Sequence, residues 1–396
     1  MITIEEARRI LAENAREMVS VKVPVSESLM RVLAEDVYSP IDVPHFRKAA
    51  MDGFAVHSQD TEGACEEKPV ELNVEGTVLA GEKANESLAR GSCVEITTGA
   101  MMPNEADAVV MVEHTDMLEG TVRIKKEAST GEHVIDIGSD IKKKNKVLSK
   151  GLRLAPRHIA VLSTLGLDGI TVYKKPCVSV IATGDELLKP GEKLVPGKIY
   201  GVNSSALANE LSLLGVQVTD LGVVGDDNAL IRDSILDAAS SSDVVLVSGG
   251  SSVGREDHVP DVVGEIGEIL FHGVSMKPGK PVLVGVVGGA MVVGVPGYPV
   301  SALCVFHSLL KSMILGMMGL AGEPHVLHAN LSETFQNGKR HMILPVKLTP
   351  YSGGLLAEPV FKGSSAITSL SMADGFIEVL PQGSISAGES VNVHLF

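Results

Sequence analysis

Three short loops, each directly after a β-branched apolar run, hold most of the residues able to do chemistry. They are Ala182-Thr183-Gly184-Asp185-Glu186-Leu187, Ser248-Gly249-Gly250-Ser251-Ser252-Val253-Gly254 with Asp257 following, and Pro296-Gly297-Tyr298-Pro299-Val300-Ser301. Strand ends in open α/β sheets bind ligands because backbone N–H groups there are free and helix N-termini attract anions. An anionic, phosphate-bearing ligand is therefore expected. Gly249, Gly250 and Gly254 let the backbone approach such a ligand closely, and Ser251 and Ser252 add hydroxyl donors. No Gly-Lys-Ser/Thr follows, and Gly249 and Gly250 are adjacent, so neither the Walker nor the dinucleotide-binding spacing is met. This disfavours an ATPase or an NAD enzyme. Lys277-Pro278-Gly279-Lys280 offers two cations on a Pro-Gly turn, able to neutralise phosphate or oxyanion charge. Each feature taken singly also has a plainer reading: Gly249-Gly250 as a tight turn, Asp226-Asp227 as a helix N-cap pair, 296–299 as a break in a hairpin, Asp52 as a turn aspartate. The histidines, His258 and His272 among them, lack a partner at metal-ligand spacing.

The elements that must position these loops alternate, from about 176 to 322, as in a doubly wound parallel sheet. A strand is expected over 178–182. Asn203 then caps a helix with Leu207, Leu211 and Leu214 on one face, and Gly215 ends it. After a strand over 216–224, Asp226 and Asp227 stand before a helix carrying Leu230, Ile231, Ile235 and Leu236, and Asp243 leads into a buried strand over 244–247. If these strands are parallel, Glu186, Asp226 and Asp257 fall on one sheet edge, a crowded set of negative charges that a divalent cation would join. Upstream, Thr3 with Glu6 reads as a capping box opening a helix with Ile4, Ala7, Ile10 and Leu11 on one face. Residues 21–45, with Pro24, Pro40 and Pro44, read as an extended arm, and 46–140 as a small β-domain with turn signals at Val74-Glu75-Gly76 and Leu118-Glu119-Gly120. Lys142, Lys143, Lys144 and Lys146 form a solvated basic face ahead of a helix over 156–165 closed by Gly166. A second small, barrel-like β-domain with a turn at Ser352-Gly353-Gly354 completes the chain. The expected fold class is thus multidomain α/β, divided as 1–45 with 141–175, 46–140, 176–322 and 323–396.

Composition bounds the function. A chain of 396 residues exceeds one usual hydrophobic core, and 44% apolar content suits well-packed domains. With 34 basic against 49 acidic side chains the net charge is -15, which argues against general nucleic-acid binding. Cys65, Cys93, Cys177 and Cys304 lie far apart, signalling neither a zinc site nor a disulfide framework, and a reducing cytoplasm fits them. The N-terminus lacks the layout of a signal peptide. Residues 281–310 carry no Asp, Glu, Lys or Arg and are long enough to cross a bilayer, but Gly288-Gly289 between two apolar runs suits a buried hairpin instead, so no membrane is expected.

Met51-Asp52-Gly53-Phe54-Ala55, Thr97-Thr98-Gly99-Ala100, Gly138-Ser139-Asp140-Ile141, the 183–187 loop, the 248–254 loop, Lys277-Pro278-Gly279-Lys280 and 296–301 follow one another in a recognisable order. In this the chain resembles the molybdopterin molybdenumtransferase family, which includes the C-terminal domain of gephyrin. The resemblance spans nearly the whole chain. It implies a molybdenum insertase of four domains, a homodimer, that takes adenylylated molybdopterin and molybdate and releases AMP with the help of Mg2+ or another divalent cation. By motif position Asp52, Thr98 and Asp140 match site residues that the β-domain offers to the large domain of the other subunit. Glu186, Asp226, Asp257, Lys277, Pro296 and Pro299 match those of the large domain. The roles this implies are Glu186, Asp226 and Asp257 toward the cation; Gly184, Gly249, Gly250, Ser251, Ser252, Lys280, Pro296 and Pro299 toward the substrate; and Lys277 toward oxyanion charge. Other cofactor-biosynthesis proteins are implied as partners.

Two positions depart from the pattern. Ile135 stands where an arginine is common, and Tyr298 where asparagine is common, changing anion capture and hydrogen bonding. Tungstate, of the same charge and shape, is an alternative to molybdate. The competing activities are a molybdopterin adenylyltransferase, which needs none of residues 1–174, and a non-catalytic scaffold paralogue.

Overall fold

The computed structural model describes residues 1–84, 87–249, 258–320 and 326–396. Its largest layer is a six-stranded sheet in the order Gln217–Val224, Cys177–Thr183, Val244–Ser248, Ala290–Val295, Leu283–Val287, Glu268–His272. The first four strands are parallel, and the last two add antiparallel. Both faces are covered. Val244 and Leu246 pack with Leu207 and Leu211 of helix Asn203–Leu214, whereas Val245 and Val247 pack with Ile231 and Ile235 of helix Asn228–Ser241 and Val259 of helix His258–Ile266. A strand buried on both faces needs no polar residue, which is why 244–247 reads as an unbroken apolar run. The expected hairpin is present: Val287 pairs with Ala290 across Gly288 and Gly289, whose φ angles of 59° and 92° supply the turn.

Helix Asn203–Leu214 ends as expected, with Gly215 left-handed at φ 83°, but Asn203 is not its cap. Val202 holds that position without a side-chain bond, and the Asn203 amide is turned toward other loops. Asp227 does cap its helix, accepting from the N–H groups of Ala229 and Leu230.

Helix Ile4–Asn14 is capped by Thr3, which accepts from Glu6 N–H at 3.1 Å, and buries Ile4, Ala7 and Leu11 in the same core as Phe306, Leu310 and Ile314. Among the described residues one helix, Pro299–Met317, is long and apolar enough to cross a membrane, and 72% of that stretch is buried inside the protein. The arm is a two-pass structure: Ser20–Pro24 pairs with Gly169–Tyr173, Val37–Tyr38 with Lys146–Leu148, and Lys48–Ala49 with Val134–Ile135. Leu33, Leu148, Leu154 and Leu162 fill its core.

The region between the two passes is a six-stranded sheet, Ala108–Met111, Gly53–Val56, Ser92–Ile96, Val70–Val78, Thr121–Ile124, Thr115–Met117. Gly120 turns the last hairpin at φ 79°. Gly76 is not a turn; strand Val70–Val78 continues through it, with a register shift between Val74 and Thr77 that marks a bulge. At the C-terminus, strands His341–Tyr351, Gly354–Pro359, Val326–Leu331, Ser390–Leu395 and Gly375–Val379 pair in turn, and the last pairs back onto the first. The ring is closed around Leu331, Leu344, Ile377 and Val393.

Candidate functional site

The carboxyl ends of Cys177–Thr183, Val244–Ser248 and Ala290–Val295 open into one cleft of about 1050 Å3. Its floor depends on two glycines. Gly249 has φ 112°, and a Cβ there would stand 2.3 Å from the Thr183 carbonyl oxygen and 2.7 Å from Thr183 Oγ1. Gly184 has φ 148°, and a Cβ there would lie 2.6 Å from a Glu186 carboxylate oxygen. At Gly249 a side chain would collide with fixed backbone, whereas at Gly184 the positive φ is the constraint, since the Glu186 carboxylate could swing aside.

One wall is acidic. Glu186 and Asp226 both line the cleft. Their loops are tied reciprocally: Asp185 N–H donates to Asp226 Oδ2 at 3.1 Å, and Asp226 N–H donates to Asp185 Oδ1 at 3.2 Å. Lys198 Nζ donates to the Asp185 carbonyl and helps hold that turn.

The basic residues of the cleft come from two parts of the chain. Lys277 and Lys280 line the cleft as expected, together with Arg340, which no sequence signal marked. The short strand Met276–Lys277 pairs in parallel with the start of His341–Tyr351, setting Met276 opposite His341. This pairing brings Arg340 to the lysines. Behind it, His341 Nε2 lies 2.9 Å from a Glu378 oxygen, and Arg8 Nη2 donates to the other at 2.5 Å. Burial alone would raise the Glu378 pKa, but the bonds from His341 and Arg8 prevail and bring it down to about 2. Ser364 and Ser365, also unmarked by sequence, complete this end.

Pro296 and Pro299 lie at the turn from strand Ala290–Val295 into helix Pro299–Val305, with Pro299 in the first helical turn and Tyr298 as N-cap, so the segment is a strand-to-helix turn rather than a broken hairpin. Tyr298 lines the cleft and is 62% exposed. Asn203 braces this turn from below: its Nδ2 donates to Ser248 Oγ and to the Gly297 carbonyl, both at 2.8 Å.

Asp52 and Thr98 are brought together in the small β-domain, where Thr98 N–H and Oγ1 both donate to Asp52 Oδ1. The backbone bond first, and the hydroxyl second, hold the Asp52 carboxyl below the usual carboxylate range. Asp140 lies exposed on a separate loop, its N–H donating to the Val43 carbonyl at 3.1 Å. None of these three residues lines the cleft of its own chain. Gly250, Ser251, Ser252 and Asp257 lie outside the described residues. Ile135 is paired with Lys48 of the neighbouring short strand.

Fold and cleft define a multidomain α/β protein in which carboxylates, cations and glycines line one cleft at the carboxyl edge of a parallel sheet, suited to an anionic ligand accompanied by a cation. The chain matches the family models for the MoeA N-terminal region (domain I and II) over residues 2–166, a probable molybdopterin binding domain over 179–315 and the MoeA C-terminal region (domain IV) over 329–396. It is 33% identical to the molybdopterin molybdenumtransferase of Haemophilus influenzae, covering 100% of this chain and 99% of that one. It is 34% identical to that of Staphylococcus aureus strain COL, covering 100% and 95%. Among solved structures, a molybdopterin biosynthesis moea protein from Pyrococcus horikosii shares 39% identity at TM-score 0.87, with 100% of this chain and 99% of that one covered. The chain belongs to the molybdopterin molybdenumtransferase family.

Proposed function

We propose that this protein inserts molybdenum into adenylylated molybdopterin in molybdenum cofactor biosynthesis, and that the cleft is where it does so. The observation carrying this reading is the convergence of Glu186 and Asp226 with Lys277, Lys280 and Arg340 in one cleft. A tetrahedral oxyanion and a phosphoanhydride both need cations, and a divalent cation on the anhydride needs carboxylates. In the reaction the two dithiolene thiols form two sulfur–molybdenum bonds, and their protons leave with one molybdate oxygen as water. The anhydride takes up a water, and AMP departs.

The residues fit a magnesium ion. Glu186 and Asp226 line one cleft and would hold it alongside phosphate oxygens, the usual manner for Mg2+; Asp257, given the same role by the resemblance, lies outside the described residues. When bound, the ion shields anhydride charge. Lys277 and Arg340 do the same for the oxyanion, with Ser364 and Ser365 orienting it through hydroxyl donors. Gly184 and Gly249 admit the substrate to the floor, and Lys280, Pro296 and Pro299 shape its entry.

Because Asp52, Thr98 and Asp140 stand outside the cleft of their own chain, we assign them to the cleft of a second copy in a homodimer. We divide the chain into 1–45 with 141–175, 46–140, 176–322 and 323–396, and attach helix Ile4–Asn14, which shares a core with Phe306 and Ile314, to the third of these. Purified protein given adenylylated molybdopterin, molybdate and magnesium is expected to release AMP and form the cofactor. Binding without AMP release would mark a scaffold, and ATP consumption an adenylyltransferase.

A further inference from the structure

Arg340 lines the cleft from an irregular segment between strands Phe335–Gln336 and His341–Tyr351, so its place depends on what anchors the residue after it. The strand pairing there is short: Met276 opposes His341 and Lys277 opposes Met342. Ile4, Met276, Ile343 and Phe376 share one core, but apolar packing is non-directional and does not by itself choose a register. A slip of one residue would reverse the faces on which these side chains stand.

Directional bonds do discriminate, and here they come from Ile2, from helix Ile4–Asn14 and from strand Gly375–Val379. Ile2 N–H donates to the Gly273 carbonyl at 3.2 Å, Ser275 N–H to the Ile2 carbonyl at 2.8 Å, and His341 N–H to the Ser275 carbonyl at 3.0 Å. Arg8 donates through Nε to the Ser308 carbonyl at 2.9 Å and through Nη2 to Glu378. The other Glu378 oxygen accepts from His341 Nε2 at 2.9 Å, and a Glu5 oxygen lies 3.6 Å from His341 Nδ1. The His341 side chain is 6% exposed, so these oxygens leave its ring little freedom to turn. Asn337 Nδ2 bonds the Arg340 carbonyl as well as those of Val379 and Leu380, each at 2.8 Å. Arg340 is thus tied on both sides, although none of Ile2, Glu5, Arg8, Asn337, His341 and Glu378 lines the cleft.

We infer that Arg8, Glu378 and His341 are positioning residues: they hold strand His341–Tyr351 in the register that carries Arg340 into the cleft, and do so without touching the substrate. The inference rests on the reading of Arg340 as a group that binds the molybdate oxyanion. Arg8→Met tests it, because methionine keeps an unbranched, helix-forming side chain but donates no hydrogen bond. Full-length wild type, Arg8→Met, Arg340→Ala and the double variant are titrated calorimetrically with molybdate alone and with AMP alone, below the lowest Tm of the set. Arg8→Met is expected to weaken molybdate binding about threefold to tenfold, no more than Arg340→Ala does, and to leave AMP affinity unchanged. In the double variant the loss stays at that of Arg340→Ala, because a guanidinium already removed cannot be displaced as well. Losses that multiply, unchanged molybdate affinity in Arg8→Met, or a loss shared by AMP overturn the inference. Should Arg8→Met fail to fold, Glu378→Gln takes the same measurements in its place, since an amide cannot accept at both ends from Arg8 and His341. Failure of wild type to bind molybdate overturns instead the functional reading beneath it.

Discussion

Asp52 Oδ1 accepts two hydrogen bonds from one residue, Thr98, at 2.6 Å from its N–H and 2.8 Å from its hydroxyl. A carboxylate so held stays ionised and fixed in direction, although it is exposed and packs against nothing in its own chain's cleft. Such an arrangement makes structural sense if the group faces a ligand or a second copy. Asp52→Asn is accordingly expected to lower AMP release at least about tenfold while leaving Tm unchanged, since no buried contact is lost. A wild-type rate in that variant would remove Asp52 from the site.

A site shared between copies has a sharper test. Inactive Asp52→Ala and inactive Asp226→Ala chains, unfolded, mixed and refolded together, form heterodimers in which one of the two clefts is intact. Random pairing then restores about a quarter of the wild-type rate. If both residues act in the same chain, the mixture stays inactive.

Gly249→Ala sets a methyl group against the Thr183 carbonyl, at a φ of 112° that other residues rarely adopt. The expected outcome is a destabilisation of about 1–3 kcal/mol in denaturant unfolding, together with loss of molybdopterin binding. Wild-type stability would mean the loop has room that these contacts deny.

Arg340 reaches the cleft only because its strand pairs with Met276–Lys277. Arg340→Ala and Lys277→Ala should each weaken molybdate binding by about tenfold, and both losses should shrink as salt rises. Isothermal titration at two ionic strengths reads this directly, and an Arg340→Ala variant with wild-type affinity would confine the anion site to the lysines.

Glu378 links helix Ile4–Asn14 to the closed barrel through Arg8 and His341. Its folded pKa of about 2 lies below the 4.5 of a free glutamate, so it contributes stability that is fully present above pH 4.5 and is lost as pH falls toward 2. The contribution is about 3 kcal/mol, from ~1.4 kcal/mol per pKa unit. Glu378→Gln should be less stable at neutral pH and flatter across that window. An equal acid slope in both proteins would show that other carboxylates govern it.

Much of this was readable in the chain itself. Apolar runs such as 244–247 and the 283–295 hairpin announce a sheet buried on both sides, because burial demands apolar side chains wherever it occurs. Gly215, Asp227 and Thr3 were legible as caps and ends, since a left-handed turn or an orphan N–H restricts residue type locally. Gly76 misled because a bulge and a turn ask the same freedom of glycine. The cleft's acidic and glycine-lined loops could be named because each follows its own strand. Arg340, Ser364 and the inward turn of Asn203 could not, because contacts made between segments remote in the chain leave no mark on spacing. Chain order thus settled which local pieces exist, while the pairing of Met276–Lys277 with His341–Tyr351 decided which of their side chains share one space.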